Sequence, residues 1–135
     1  IILSTRGGRN FAYFIDEVPG HAVCSPHFFV VRVVPQSDLL PEFLAWQMNQ
    51  KPAQDYFTAN ATGSYILNLR REVVEHLEVV VPPIKQQQLA VMLDETVKAD
   101  RSILSQLIDN RAAELSALTL QLLSPKTAIQ EQKPS

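Results

Sequence analysis

The sequence predicts a small α+β or α/β globular domain followed by a long α-helix that projects from it and pairs as a coiled coil. Two observations lead to this prediction. Up to residue 84, short apolar runs with strand character alternate with segments of helical spacing. From Lys85 to Leu123 neither glycine nor proline occurs, and apolar residues recur at helical spacing. We therefore place a globular domain at residues 1–84, the long helix at 85–123 and a flexible polar tail at 124–135.

Short strands are predicted in the first third of the chain. Residues 1–3 form an apolar run that leads into the turn RGGRN at residues 6–10, where the paired glycines permit backbone conformations that other residues resist. A second strand is predicted at residues 11–15, with the sequence FAYFI. Residues 28–34, with the sequence FFVVRVV, are β-branched and aromatic between two prolines, which is typical of a mostly buried strand.

Two consecutive helices are predicted next. Ser37 or Asp38 can accept hydrogen bonds from the free N–H groups of a first turn, and Pro41 suits that turn. Apolar residues continue near helical spacing to Phe57, but Lys51-Pro52 interrupts the pattern. We therefore expect one helix before this dipeptide and another after it.

A loop, a short helix and a last strand complete the predicted globular domain. Residues 61–68, ATGSYILN, form a polar loop, and Asn68 can cap a two-turn helix in the LRREVVEH that follows. Residues 77–81, LEVVV, are predicted as the last strand. Pro82 and Pro83 then force a stiff, extended exit, because each fixes φ and the second disfavours helix at the first. We expect this Pro-Pro step to be a rigid joint between the globular domain and the long helix.

The long helix carries an apolar stripe that needs a second surface. Several steps along it are seven or eleven residues, the spacing of a helix that packs lengthwise against another. At about 1.5 Å per residue the helix would be roughly 58 Å long, whereas a compact domain of the preceding residues has a radius of gyration of about 12 Å. The alternative is a break near residues 99–101 that folds the helix back as a hairpin. The residues expected to pair are Leu89, Leu93, Val97, Leu104, Ile108, Leu115, Leu118 and Leu122.

Composition narrows the class of protein. The hydrophobic fraction of 46% is ordinary for a soluble globular chain, and no apolar run approaches the roughly 18 to 20 residues of a membrane span. The N-terminus also lacks the pattern of a signal peptide. We therefore expect a cytoplasmic protein without a membrane partner. Because the first residue is Ile rather than Met, we also expect a fragment or a processed product.

No catalytic or metal-binding arrangement is predicted. RGGRN lacks the spacing of a phosphate-binding loop, and His21, His27 and His76 are not spaced as a metal cluster. Cys24 is the single cysteine, so it has no partner for an internal disulfide, and we expect a structural residue rather than a nucleophile. We therefore expect a protein that is not an enzyme and that carries no cofactor.

The loop at residues 6–10 is a candidate for nucleic-acid contact. Its arginines could place guanidinium groups on phosphates or guanine edges, and its asparagine amide could contact adenine. The alternative is a surface turn whose arginines pair with acids such as Asp16 or Glu17. The residues proposed to contact DNA in this first segment are Arg6, Arg9, Asn10 and Tyr13.

A second candidate segment follows at residues 62–70. Backbone N–H groups at a Gly-Ser turn, together with a hydroxyl, can bind a phosphate oxygen, and nearby arginines would reinforce the contact. The alternative is a loop that only caps the helix beginning near Asn68. The residues proposed to contact DNA in this segment are Ser64, Tyr65 and Arg70.

The order of these segments resembles a known family. PEFLAWQMNQKPAQDYF, followed by ATGSYILNLRREVVEHLEVVVPPIKQQQLAVMLDE and a long amphipathic helix, closely resembles the specificity subunit of Type I restriction-modification enzymes. The resemblance is to the C-terminal part of one target-recognition domain and the conserved-region helix after it. LEVVVPPIKQQQLAVMLD is the most specific part, although the family usually has Glu-Gln where this chain has Gln86-Gln87 or Gln87-Gln88. ILSTRGGRN and SPHFFVVRV also look like the family's middle strands, so the resemblance covers roughly residues 1–123.

The resemblance implies a function without catalysis. A specificity subunit of this family has two tandem repeats, each a globular reader of one half of a bipartite DNA target, and two long antiparallel helices that set the distance between the halves. Its partners are double-stranded DNA, adenine methyltransferase subunits, which use S-adenosylmethionine, and a restriction subunit. This chain resembles one incomplete repeat, and a second copy or a second repeat is expected to pair with its long helix.

The charge of the globular part bears on how it would bind DNA, and two other functions remain as hypotheses. Residues 1–84 contain six basic and eight acidic side chains, so we expect binding to depend on base contacts and on methyltransferase subunits that clamp the duplex. A second hypothesis is a protein-interaction module that does not bind DNA and dimerises through the long helix. A third, a small cysteine- or carboxylate-dependent hydrolase, lacks an assembled nucleophile, base and orienting group.

Overall fold

A computed structural model describes residues 1–18, 20–63 and 66–124. The chain divides into two units, one comprising Ile1–Glu95 and one beginning at Thr96. Within the described residues the α+β prediction is confirmed, with small antiparallel sheets beside α-helices. The elements are β1 (Ile2–Ser4), β2 (Arg6–Gly7), β3 (Ala12–Tyr13), β4 (Phe28–Val30), α1 (Pro41–Asn49), α2 (Lys51–Asn60), β5 (Leu67–Asn68), α3 (Arg71–Glu75) and α4 (Ile84–Leu123).

Two small sheets organise the first unit. One has the strand order β3-β1-β4, with both pairings antiparallel and Leu3 opposite Ala12 on one side and Phe29 on the other. The other sheet pairs β2 with β5, also antiparallel. The buried Thr5 connects them: its N–H and hydroxyl both donate to the His27 carbonyl, at 2.9 and 2.8 Å, while its own carbonyl accepts from Leu69 N–H at 2.8 Å.

The core lies between β1 and the helix pair α1–α2. Leu3 and Phe57 are fully buried, and Met48 is nearly so. Because side chains alternate across a strand, Leu3 faces this core while its neighbours Ile2 and Ser4 remain half-buried. The cluster of buried residues consists of Leu3, Ala12, Leu44, Ala45, Met48, Ala53, Phe57 and Leu69.

The predicted strands are longer than the strands that form. Of residues 11–15 only Ala12–Tyr13 are in a strand, and of residues 28–34 only Phe28–Val30. β4 is an edge strand, and its Phe28 and Val30 are exposed, so the prediction of a mostly buried strand was wrong. Residues 77–81 form no strand, because the backbone of Val80 is bonded to a side chain instead: Gln47 Nε2 donates to Val80 O, and Val80 N–H donates to Gln47 Oε1, both at 3.2 Å.

The helix break at Lys51-Pro52 is confirmed, but the predicted caps are not. Gln50, between α1 and α2, has φ −77° and ψ 157°, and Pro52 lies in the first turn of α2. Leu40, rather than Ser37 or Asp38, is the residue before α1, and no side chain caps it locally. Asn68 lies in β5, and α3 begins only at Arg71, so the prediction that Asn68 starts a two-turn helix was wrong.

α4 is one continuous helix of 40 residues, which excludes the hairpin alternative. Its first turns belong to the first unit, where Gln87 is fully buried, and from Glu95 to Ser124 every side chain is exposed. Apart from Ser124, the predicted tail lies outside the described residues. None of the helices in the described part of the chain combines the length and apolar character needed to span a bilayer.

Candidate nucleic-acid interface

The β2–β5 ladder joins the two segments proposed to contact DNA. Arg6 lies opposite Asn68, and Gly7 lies opposite Leu67, although the two residues of each pair are about sixty positions apart in the sequence. The Leu69–Thr5 hydrogen bond extends the same contact by one residue. Residues 5–7 and 67–69 therefore lie side by side, each within a segment that was predicted independently. We refer to the described residues of segments 6–13 and 62–70 together as the paired-segment surface.

The second segment is closed at its base by one residue pair. Thr62 N–H donates to Asn68 O at 3.1 Å, and Asn68 N–H donates to Thr62 O at 2.9 Å. Gly63 follows with φ +114°, and a Cβ there would lie 2.4 Å from the Ile66 carbonyl oxygen. Only glycine fits this position, because both the backbone conformation and the contact exclude a side chain. Ser64 and Tyr65, two of the candidate residues, lie outside the described residues.

Two amide side chains at the α1–α2 junction hold the first segment in place. Asn49 Oδ1 accepts from Ala12 N–H at 2.9 Å, and its Nδ2 donates to Ala12 O at 2.7 Å. Gln54 Nε2 donates to the carbonyls of Asn10 and Met48, at 2.6 and 2.7 Å. The sequence did not predict this role for Asn49 or Gln54. A polar amide beside a helix break has the same local sequence pattern whether its side chain faces solvent or bonds to another segment.

Asn10 was predicted to contact DNA, but its side chain is buried and supports the first segment instead. Its side chain is only 2% exposed, and its Nδ2 donates to the Ser4 carbonyl at 2.8 Å. Ser4 also bonds to Phe11 through its N–H and hydroxyl, at 2.8 and 2.7 Å. The amide of Asn10 thus closes the turn between these residues, and it is not presented for contact with adenine.

Arg9 lies on the surface over an aromatic ring. Its guanidinium carbon is 5.1 Å from the centre of the Phe11 ring, whose centre is in turn 6.3 Å from that of Tyr13. Its Nε and Nη2 donate to Gln54 Oε1 and Asn49 O, both at 3.4 Å, which is the long end of hydrogen-bond geometry. These partners are neutral, so the positive charge of Arg9 is oriented but not cancelled.

The candidate arginines lack carboxylate partners. Among the described residues Arg6, Arg9 and Arg70 form no ion pair, and all three are exposed. The alternative in which they pair with Asp16 or Glu17 is therefore not seen in this part of the chain. Arg71, the neighbour of Arg70, differs, because its Nε is 2.6 Å from Glu75 Oε1.

Exposed guanidinium groups beside an exposed ring suit recognition of a polyanion. A guanidinium can donate two parallel hydrogen bonds to a phosphate or to the edge of guanine. Tyr13, 60% exposed, adds a ring and a hydroxyl to the same surface. The arrangement can therefore bind charged backbone and base edges.

Two clefts in the first unit lie outside this surface. One, of about 490 Å³, is lined mainly by apolar side chains of β4, α1, α3 and the residues that follow β4 and α3, and its charged lining residues are Arg32, Arg71 and Glu75. The other, of about 600 Å³, is lined by residues that include Trp46, Tyr56 and His76. In the described ranges no three His, Cys, Asp or Glu residues lie close enough to hold a metal, and Cys24 is a half-buried free thiol.

The predicted pairing stripe of α4 is accessible along its whole length. Each of its eight side chains, Leu89, Leu93, Val97, Leu104, Ile108, Leu115, Leu118 and Leu122, is about half exposed or more.

In comparisons with protein-family models, curated proteins and solved structures, this chain matches none of them.

Proposed function

We propose that this chain is a DNA-recognition component of a Type I restriction-modification system. It would read one half of a bipartite target with the paired-segment surface and dock the methyltransferase and restriction subunits, without catalysis of its own. The observation that supports the proposal is the β2–β5 ladder, because it pairs Arg6 with Asn68, two residues before Arg70, and so joins two sequence-distant segments that carry exposed arginines.

The chemistry of these side chains supports DNA as the ligand. Arg6, Arg9 and Arg70 are exposed cations without carboxylate partners in the described residues, so binding a phosphate would break no ion pair. A guanidinium placed on guanine O6 and N7 discriminates against a wrong base by about 1–3 kcal/mol. The proposed contact set is Arg6, Arg9, Tyr13 and Arg70, together with Ser64 and Tyr65, which lie outside the described residues; Asn10 is proposed as a supporting residue.

The charge balance makes partner subunits part of the proposal. With eight acidic against six basic residues in positions 1–84, the globular part does not offer the basic excess of a freestanding DNA binder. Affinity at physiological salt would then come jointly from this chain and the methyltransferase subunits that enclose the duplex. The test must therefore use the assembled complex.

Fluorescence anisotropy on that complex tests the DNA contact. A target duplex is first selected from a randomised library with wild-type chain and methyltransferase subunits, and Arg6→Ala and Arg9→Ala are then compared on it. We expect each to weaken target binding about tenfold, the size of one lost base contact. Arg32→Ala, an exposed arginine outside the paired-segment surface, is the control and should change affinity less than about twofold. Unchanged binding by both test variants would sink the proposal for the first segment.

A second candidate function is a protein-interaction module that pairs through α4 as a coiled coil. The observation that favours it is the exposed apolar stripe, because a face of this kind on a soluble helix is normally covered by another surface. Sedimentation of wild type and of Leu104→Glu with Ile108→Glu tests it, and the double change should abolish association. Leu120→Glu is a matched control, since Leu120 is also exposed but lies on the opposite side of the helix.

A further inference from the structure

The larger of the two clefts, of about 600 Å³, combines aromatic rings with a single carboxylate. Trp46 of α1 and Tyr56 of α2 line it, together with Pro52 in the first turn of α2. His76 and Glu78, at and after the end of α3, line its other side. The described lining contains neither lysine nor arginine, so the Glu78 carboxylate is its only charged group when histidine is neutral.

Hydrogen bonds between the surrounding elements hold this cleft open. The Tyr56 hydroxyl donates to the carbonyl of Val73 at 3.0 Å, which ties α2 to α3. Gln47 makes two hydrogen bonds with the backbone of Val80, which hold the segment after α3 against α1. The walls of the cleft are therefore positioned before a ligand arrives, as is usual for binding sites.

Apart from the Trp46 indole, the polar side-chain groups of the cleft that remain free are acceptors. Gln50 Nε2 donates to Trp46 O at 3.1 Å, which leaves its Oε1 without a partner among the described residues. His76 Nδ1 lies 2.7 Å from Glu72 O, and because a carbonyl can only accept, Nδ1 carries the proton and Nε2 of the neutral ring is an acceptor. The Glu78 carboxylate forms no ion pair within the described ranges. A ligand that donates hydrogen bonds would satisfy all three groups.

The charges around the cleft also favour a cation. Residues 71–80 contain three glutamates and one basic residue, Arg71, whose charge is already paired with Glu75 at 2.6 Å. The other two glutamates, Glu72 and Glu78, have no basic partner in the part of the chain that the structure describes. A negative potential of this kind attracts a cation and repels a phosphate or a carboxylate.

We propose that this cleft binds an arginine side chain of a partner protein. A guanidinium is a flat cation that stacks on aromatic faces such as those of Trp46 and Tyr56, and it can donate two parallel hydrogen bonds to the carboxylate of Glu78. Its methylene stem would lie along apolar lining residues such as Pro52 and Leu77. A lysine ammonium supplies the charge but neither the flat face nor the paired donors.

The arginine site is separate from the surface proposed to read DNA. None of its lining residues belongs to segment 6–13 or to segment 62–70. It therefore gives the globular part a protein contact in addition to the proposed DNA contact. A DNA duplex is an unsuitable ligand for it, because phosphates would approach the unpaired charge of Glu78.

NMR titration of the full chain tests the site through Trp46, the single tryptophan of the sequence. Its indole N–H gives one signal, and the probes are the capped pentapeptide Ala-Ala-Arg-Ala-Ala and the same peptide with neutral citrulline in place of arginine. We expect the arginine peptide to shift the signal saturably with a dissociation constant of about 1 mM, and the citrulline peptide to bind at least about tenfold more weakly. Equal binding of the two peptides, or no saturable shift with arginine, would overturn the proposal.

Two glutamate variants locate the contact. Glu78→Gln keeps the size of the side chain and removes its charge, so we expect the arginine peptide to bind about tenfold more weakly and the preference over citrulline to disappear. Glu72→Gln removes the same charge from an exposed residue outside the lining, and it should change the dissociation constant less than about twofold. An equal loss in both variants would show that the peptide responds only to the general negative charge, and the assignment of Glu78 as its partner would then be wrong.

Discussion

Gln87, in the first turn of α4, accepts a hydrogen bond from the backbone N–H of Leu40 at 2.8 Å. Its Nε2 donates to two further carbonyls, those of Asp38 at 2.6 Å and Pro82 at 2.7 Å, and the side chain is fully buried. One amide thus ties the start of α1 to the proline step that leads into α4. Gln87 thus holds the start of α4, next to the Pro82-Pro83 step where we predicted a rigid joint, against the residues before α1.

Replacing Gln87 by Ala should destabilise the first unit. Leu40 N–H and two carbonyls would lose their partner in a buried place, and each unsatisfied group costs about 1–3 kcal/mol. We expect the free energy of unfolding in urea to fall by at least about 2 kcal/mol. The control is Gln88→Ala at the next, exposed position, where a change within about 0.5 kcal/mol is expected. Equal effects at both positions would mean that the buried amide has no special role.

Asn49→Asp should loosen the first segment of the paired-segment surface. The new carboxylate oxygen would replace Nδ2, which donates to Ala12 O at 2.7 Å and Ala45 O at 3.0 Å, and would face these carbonyls without a proton. The expected loss is at least about 2 kcal/mol in unfolding free energy, together with weaker DNA binding by the complex.

Asn60→Asp provides the matched control for this change. Its Nδ2 also donates to the carbonyl four residues earlier, at 2.8 Å from Tyr56 O, but the bond is exposed to water. We expect a loss below about 1 kcal/mol, part of it from placing a negative charge at a helix C-terminus. If Asn60→Asp costs as much as Asn49→Asp, the bond to Ala12 does not account for the effect.

Gly63→Ala should distort the second segment. The Cβ would lie 2.4 Å from Ile66 O in a backbone conformation with φ +114°, and strain of this kind costs about 1–3 kcal/mol. Gly8→Ala is the comparison, since a Cβ there meets no atom within 4 Å. Thermal unfolding of the two variants should separate them clearly. A Gly63→Ala protein as stable as Gly8→Ala would show that the loop adapts without strain.

Sequence reasoning recovered the helices better than the strands. The break at Lys51-Pro52 and the uninterrupted α4 follow from local chemistry, because proline and the absence of glycine act within a few residues. A strand depends on a distant partner, and β4 has three residues because its partner β1 offers only three for pairing. Residues 77–81 have strand composition, but Gln47 occupies the backbone groups of Val80 that a neighbouring strand would need.

The candidate site was predictable in its residue types but not in its assembly. Arg6 and Arg70 stood out as cations beside glycine turns, yet no local pattern indicated that Arg6 would lie opposite Asn68. Asn10 looked like a base-reading amide, because its burial results from the fold rather than from its neighbours in sequence. Gln87 was one of three consecutive glutamines, and only tertiary packing distinguishes it from Gln86 and Gln88.

The salt dependence of DNA binding distinguishes Arg70 from its neighbour. Arg70 forms no ion pair among the described residues, whereas Arg71 is bound to Glu75 at 2.6 Å, so only Arg70 is free to neutralise a phosphate. We expect Arg70→Ala to weaken binding of the complex to target and non-target duplexes alike. The slope of log K against log salt should then fall by about 0.9, the value for one lost phosphate contact. Arg71→Ala should leave the slope unchanged; if it lowers the slope as much as Arg70→Ala does, the ion pair with Glu75 does not hold it away from DNA.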